Sequence, residues 1–402
     1  MFRSKNLIHN LKGFRYPSVF FATIGLVSNV TMAMEPDISA SGRALTAGDI
    51  STLPEDETQY VPSESARGDF LREENLTLDH ARRHAYIQID LEPKFGLAID
   101  GGGMRGLMPA LWLKSLHERL EDEGYNRLSR VFDYVGGTSI GGILALGIGS
   151  DLEPDTMVDL FENRGPEIFP TTGQWSVTLR SLGGFIGAKY DPSRLETLLQ
   201  EKFENSTFDE MSTSVLVTSC TTGGRPKLFK NRTDEDQAHR VWEIARCTSA
   251  APTFFPAYRL TTHTDAFVDG GMWVNNPATL VTASMVKELH NGVFSPGDLY
   301  LLSLGTGDES LPSILPDNAG AINAKQIIEV IMNSNSQGNH ETMQSFLGEE
   351  NYYRVNPFLD RKIDMDRTDP RAIDDLQGYA EQEGMQEQIN RFTDKFLEVK
   401  RR

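Results

Sequence analysis

The chain has 402 residues, room for one large domain or two ordinary ones, with a globular composition of 39% hydrophobic and 24% charged residues. Its net charge of −18 argues against nucleic acid as a partner and against long-range attraction to anionic membranes. Two cysteines, Cys220 and Cys247, are too few for a disulfide framework or a zinc site and read as small core residues.

Arg3, Lys5, Lys12 and Arg15 form a basic run with no acid before Glu35. The apolar stretch Val19–Val27 and the small residues up to Ala33 follow, so residues 1–33 read as a signal peptide for export, the alternative being a disordered or interfacial tail on a cytoplasmic or peripheral membrane protein. Cleavage after Ala33 would take the net charge from −18 to −22. Residues 34–90 are polar and poor in aromatics, with the acidic run Glu55–Glu57, and read as an arm or linker. No stretch is long and apolar enough for a convincing membrane-spanning helix.

The periodic part, 91–310, opens with the apolar run Phe95–Asp100, a buried strand. A glycine cluster, Gly101-Gly102-Gly103-Met104-Arg105-Gly106, leads into a helix marked by Leu107, Leu113, Leu116 and Leu120. Val131–Val135 is the next strand, and a helix starts at Ile143. Further strands are expected at Val215–Ser219, Ala266–Val268 and Leu299–Leu304, with helices at about 191–203, 240–247 and 276–290. This alternation predicts an α/β layered fold with a largely parallel sheet. Residues 311–402 are expected to be a helical part of the same domain, with an amphipathic helix at about 374–400. The segment Arg164–Tyr190, with Phe169, Trp175, Phe185 and Ile186, reads equally as a cover over a site or as a packed loop.

Three constellations carry chemistry. Gly101–Gly106 satisfies the dinucleotide pattern G-x-G-x-x-G, and Glu121 even lies about twenty residues on. Glycine amides at a helix start suit any negative charge, a phosphate or an oxyanion alike. Gly137-Thr138-Ser139-Ile140-Gly141 is a G-x-S-x-G turn between a strand and a helix, the setting of a nucleophile elbow. Where a dinucleotide fold would put an acid, this strand ends in a serine. Asp269-Gly270-Gly271 closes an apolar run, so its carboxylate can approach another loop as a general base. The histidines, among them His239, His263 and His290, sit in no catalytic pattern and are expected on the surface or in loops. No H-E-x-x-H, acidic loop or Cys/His pattern calls for a metal, and no cofactor is implied.

These motifs resemble the patatin-like phospholipase family, whose pattern is D-G-G-G-x-R-G, G-x-S-x-G and D-G-[GA], here Asp100–Gly106, Gly137–Gly141 and Asp269–Gly271. Thr248–Pro256, the stretch from Asp269 to Pro277, and Leu302–Gly307 look like further family segments. The resemblance covers about 94–310 well and the last third loosely. It implies a three-layer α/β sandwich and a calcium-independent lipid acyl hydrolase of phospholipase A type. Ser139 would be the nucleophile and Asp269 its base, with an acyl-enzyme between. Gly101–Gly106 would form the oxyanion hole, its donors being amides around Gly102, Gly103 and Met104. Arg105 would orient that loop, meet a lipid phosphate, or simply form a structural ion pair. The implied partners are a phospholipid or other lipid ester and a transient membrane contact. Competing readings are a broad esterase or neutral-lipid lipase, a histidine-dependent esterase, a nucleotide-binding oxidoreductase, and a catalytically silent lipid-binding protein.

Overall fold

The computed structural model describes residues 92–170, 187–289, 296–309 and 324–402. The expected export signal at 1–33, the expected arm at 34–90 and the middle of the expected cover, 171–186, lie outside these residues, as does His290. Side-chain alternation along the central strand β1 (Lys94–Ile99) defines two sheet faces. Phe95, Leu97 and Ile99 join one apolar core, and Ala98 joins another.

Around β1 stand β2 (Tyr134–Thr138), β3 (Ser214–Thr221), β4 (Pro226–Lys230), β5 (Phe267–Asp269), β6 (Leu299–Leu304) and, beyond a short β7 (Asp308–Glu309), β8 (Tyr352–Val355). The sheet order is β4-β3-β2-β1-β6-β8, and β5 pairs with the end of β3. Pairings from β3 through to β8 are parallel, whereas β4 and β5 run antiparallel to β3. A two-stranded ribbon joins β7 to β9 (Phe358–Leu359).

One outer layer contains α1 (Leu107–Glu121), α2 (Ile140–Gly149), α3 (Pro154–Glu162), the single turn α4 (Gly165–Ile168) and α5 (Pro192–Phe203). The short α6 (Asp234–Gln237) follows, then α7 (Val241–Thr248), which joins the same core. On the opposite face lie α8 (Ala278–Glu288) and α9 (Ala324–Leu347), where Val281, Met285, Met343 and Leu347 meet Ala98, Leu216 and Leu301. A methyl at Gly136 would overlap Val281, so the glycine lets α8 sit close against the sheet. α10 (Pro370–Ala380) and α11 (Glu383–Lys400) complete the first face. There the Trp112 indole N–H donates to the Ala380 carbonyl at 3.0 Å, and Phe392 stacks on Phe132. The result is the expected three-layer α/β sandwich with a largely parallel sheet.

The differences from expectation have local causes. The second strand starts at Tyr134 instead of Val131, because Leu128–Arg130 is a 3-10 turn and Asp133 accepts the Phe95 N–H at 2.9 Å. Val131 and Phe132 are buried as core residues outside the strand. The last third is not purely helical, since β8 extends the main sheet beside β6. The expected helix at 374–400 is two helices, the first starting at Pro370 and capped by Asp369, whose carboxylate accepts the Ala372 N–H. Among the described residues no helix is long and apolar enough to cross a membrane.

Candidate active site

Ser139 sits between β2 and α2 with φ 56° and ψ −124°. A non-glycine residue at positive φ is strained and persists only where its surroundings over-determine it. Here they do. The Ser139 N–H donates to the Thr248 hydroxyl at 2.8 Å, and its carbonyl accepts from Ile143 N–H at 3.1 Å. Thr138 is buried, with its hydroxyl donating to the Val274 carbonyl at 3.0 Å. A methyl at Gly137 would overlap the Gly141 carbonyl, and one at Gly141 would overlap that of Ile99. The turn therefore closes only with glycine at both positions, and Ile140 lies beside the cavity that Ser139 faces.

Asp269 ends β5, four per cent exposed, and its carboxylate accepts the Gly271 N–H at 2.8 Å. The Ser139 hydroxyl also acts on this carboxylate and favours its charged form. Burial pushes the Asp269 carboxyl up from 3.8 to about 6, against the opposing pull of the Ser139 hydroxyl and the Gly271 N–H. Gly270 packs against Thr218 so closely that a methyl there would overlap it.

The glycine loop lies across from this pair. Gly101 donates its N–H to the Asn275 carbonyl at 3.2 Å, and Arg105 donates to Gly102 at 3.2 Å. Met104 donates to the Met365 carbonyl at 2.7 Å, which removes it from the expected donor set. Gly103 adopts φ +57°, and any side chain there would overlap Met365. Among the described residues, neither the Gly102 nor the Gly103 N–H has a backbone partner, and both residues line the cavity described below. Arg105 is five per cent exposed, and its guanidinium pairs with Glu309 at 3.0 Å. Of its three expected roles, the structural ion pair is the one seen. Gly106 lies between Ile140 and Phe161 with no room for a side chain.

Ser139, Asp269, Gly102 and Gly103 open onto a cavity of about 110 Å³. Its walls are apolar, including Ile143, Leu160, Phe161, Leu198 and Phe255. Phe169 lines it as well, packed against Tyr190 and Phe255, so the described ends of the expected cover segment are packed in place. No histidine stands among the described lining residues. His263 is hydrogen-bonded to Thr262, and His239 lies in the loop between α6 and α7, buried there against Phe229. Both cysteines are buried and free. Glu121 lies at the far, carboxyl end of α1, away from the glycine loop.

Several supporting residues were not singled out from sequence. Arg354 grips Asp100 through two bonds of 2.9 and 2.7 Å, and Ser336 donates to the same carboxylate at 3.2 Å. Asn335 receives the Asn275 N–H at 2.8 Å and donates to the Trp273 carbonyl at 3.0 Å. α9 thus directs a polar stripe inward to satisfy the backbone after Asp269, which disguises the helix as a solvated segment.

Residues 97–282 match the family model described as patatin-like phospholipase. A cGAMP-activated phospholipase of Pseudomonas aeruginosa is 35% identical over 186 residues, covering 45% of this chain and 53% of the relative. Patatin group J-1 of Solanum tuberosum is 31% identical over 244 residues, covering 53% of this chain and 60% of the relative. The chain thus spans little more than half the length of these curated relatives. The solved structure of VipD from Legionella pneumophila is 13% identical with a TM-score of 0.34, covering 77% of this chain and 66% of that one. That overlap is too slight to bear on the fold, which rests on the sheet order above. The motif order and these sequence likenesses agree: residues 97–282 are similar to the patatin-like phospholipase family.

Proposed function

We propose that the protein is a calcium-independent lipid acyl hydrolase of phospholipase A type, acting through Ser139 and Asp269. The observation that carries this reading is the Ser139 hydroxyl paired with a buried carboxylate at the edge of an apolar cavity. Asp269 takes the hydroxyl proton as Ser139 Oγ attacks the ester carbonyl. The Gly102 and Gly103 amides receive the developing oxyanion, and the amino end of α2 adds its field. Collapse expels the alcohol, which takes the proton from Asp269 and leaves an acyl-serine. Water then attacks the acyl carbon, Asp269 takes its proton, and the fatty acid departs as Ser139 regains the proton. No step is assigned to a cation. A carboxyl near 6 is a better base at neutral pH than an ordinary aspartate.

The apolar walls suit an acyl chain and favour a lipid over a small polar ester. Incubation with phosphatidylcholine vesicles, read by mass spectrometry of fatty acid and lysolipid, tests the reading. Fatty-acid release that disappears in Ser139→Ala is the expected result, and undiminished release in that variant refutes it. Cleavage of short esters and triacylglycerol without phospholipid turnover would favour the broad esterase or lipase instead. Export through residues 1–33 is part of the same proposal, checked by sequencing the amino terminus of the mature protein.

A further inference from the structure

A buried polar network lies behind the glycine loop, in residues that touch neither the cavity nor the expected substrate. Arg354 stands on β8, in register with Ser303 of β6, and reaches across that strand to Asp100 at the end of β1. Its guanidinium makes two bonds to the Asp100 carboxylate and one to the Ser303 hydroxyl at 2.9 Å. The two side chains are 10% and 2% exposed. Ser336 Oγ donates to Asp100 and accepts the Asn275 amide at 2.9 Å, while Thr306 Oγ donates to the Gly101 carbonyl at 2.7 Å. Asp100 is therefore the fixed point from which the loop Gly101–Gly103 departs.

Amides that receive an oxyanion must be held to within a few tenths of an ångström, by groups whose own positions are locked. A carboxylate directly behind the loop would oppose the charge that develops in front of it. A bidentate guanidinium both neutralises that carboxylate and fixes its orientation. We propose that Arg354 is a positioning residue for acyl transfer: it anchors Asp100 and so sets the Gly102 and Gly103 amides for the transition state. This rests on the hydrolase reading above, and it involves a residue outside the segment 97–282 that the family model matches.

The full chain is assayed for kcat and KM on phosphatidylcholine vesicles and for melting temperature, with Ser139→Ala as reference. Arg354→Met is expected to lower kcat about a hundredfold, the size of losing one oxyanion donor, with KM within threefold. Asp100 is left uncompensated in that variant, which lowers its stability as well. The double variant Asp100→Asn/Arg354→Met leaves no lone buried charge, so it should regain most of the melting temperature yet stay slow. A double variant that folds and keeps kcat within threefold of the wild type, beside an inactive Ser139→Ala, overturns the role of Arg354 alone. A Ser139→Ala chain with full release overturns the hydrolase reading and this inference with it.

Discussion

Replacing Asp269 by Asn should make the protein more stable as it makes it inactive, by an amount that depends on pH. The folded carboxyl ionises near 6 instead of 3.8 because burial penalises the charge. Below 3.8 the group is protonated in both folded and unfolded chains and costs nothing. As pH rises through about 6 the folded carboxyl must ionise in an apolar site, and the stability that its protonated form conferred is lost. A difference of about two pKa units corresponds to roughly 3 kcal/mol at pH 7 and above. The substituted amide keeps an oxygen to accept the Gly271 N–H and carries no charge. Urea unfolding of both proteins between pH 4 and pH 8 provides the assay, and taking the difference cancels the other titrating groups. The margin of Asp269→Asn over the wild type is expected to widen by about 2–3 kcal/mol across that range and to level off above pH 7. A margin independent of pH would refute the claim that Asp269 is ionised against its surroundings. The same shift predicts that wild-type kcat/KM falls about tenfold per unit below pH 6, since the base must be unprotonated.

Three further substitutions test the supports of the site. Thr248→Val removes the acceptor of the Ser139 N–H and leaves that amide unpaired, which should cost about 1–3 kcal/mol and lower kcat, while Thr248→Ser restores both. Gly137→Ala drives a methyl into the Gly141 carbonyl and should destabilise by about 1–3 kcal/mol while abolishing turnover, measured by urea melts and ester hydrolysis. Phe392→Ala empties a position stacked on Phe132 and edge-on to Phe95, so a loss of about 3–5 kcal/mol is expected. Phe392 lies away from the cavity, so the folded fraction of that variant should keep the wild-type kcat.

Short-range order was legible in the sequence wherever one physical rule acted within a few residues. An apolar run followed by glycines could only be a strand feeding a tight turn, so β1, β3, β6 and the helices α1, α5 and α7 were expected within a few residues of where they lie. The same locality marked Ser139, Asp269 and the glycine loop, because a strained turn and a close backbone approach both demand glycine nearby. What required the tertiary structure is whatever depends on residues far apart in the chain. β8 and α9 were hidden because their polar groups, Arg354, Ser336 and Asn335, face inward to partners about 60 to 250 residues away, which breaks the apolar periodicity. Met104 was expected as an oxyanion donor, yet Met365, far along the chain, accepts its N–H. Arg105 could be a lipid ligand or a structural ion until Glu309 was found beside it. The basicity of Asp269 follows from burial, a sum over many neighbours that no local pattern encodes. Sequence by itself marked which groups could react, and the packing of distant segments decided how strongly they are charged and which of the loop's amides are left without a backbone partner.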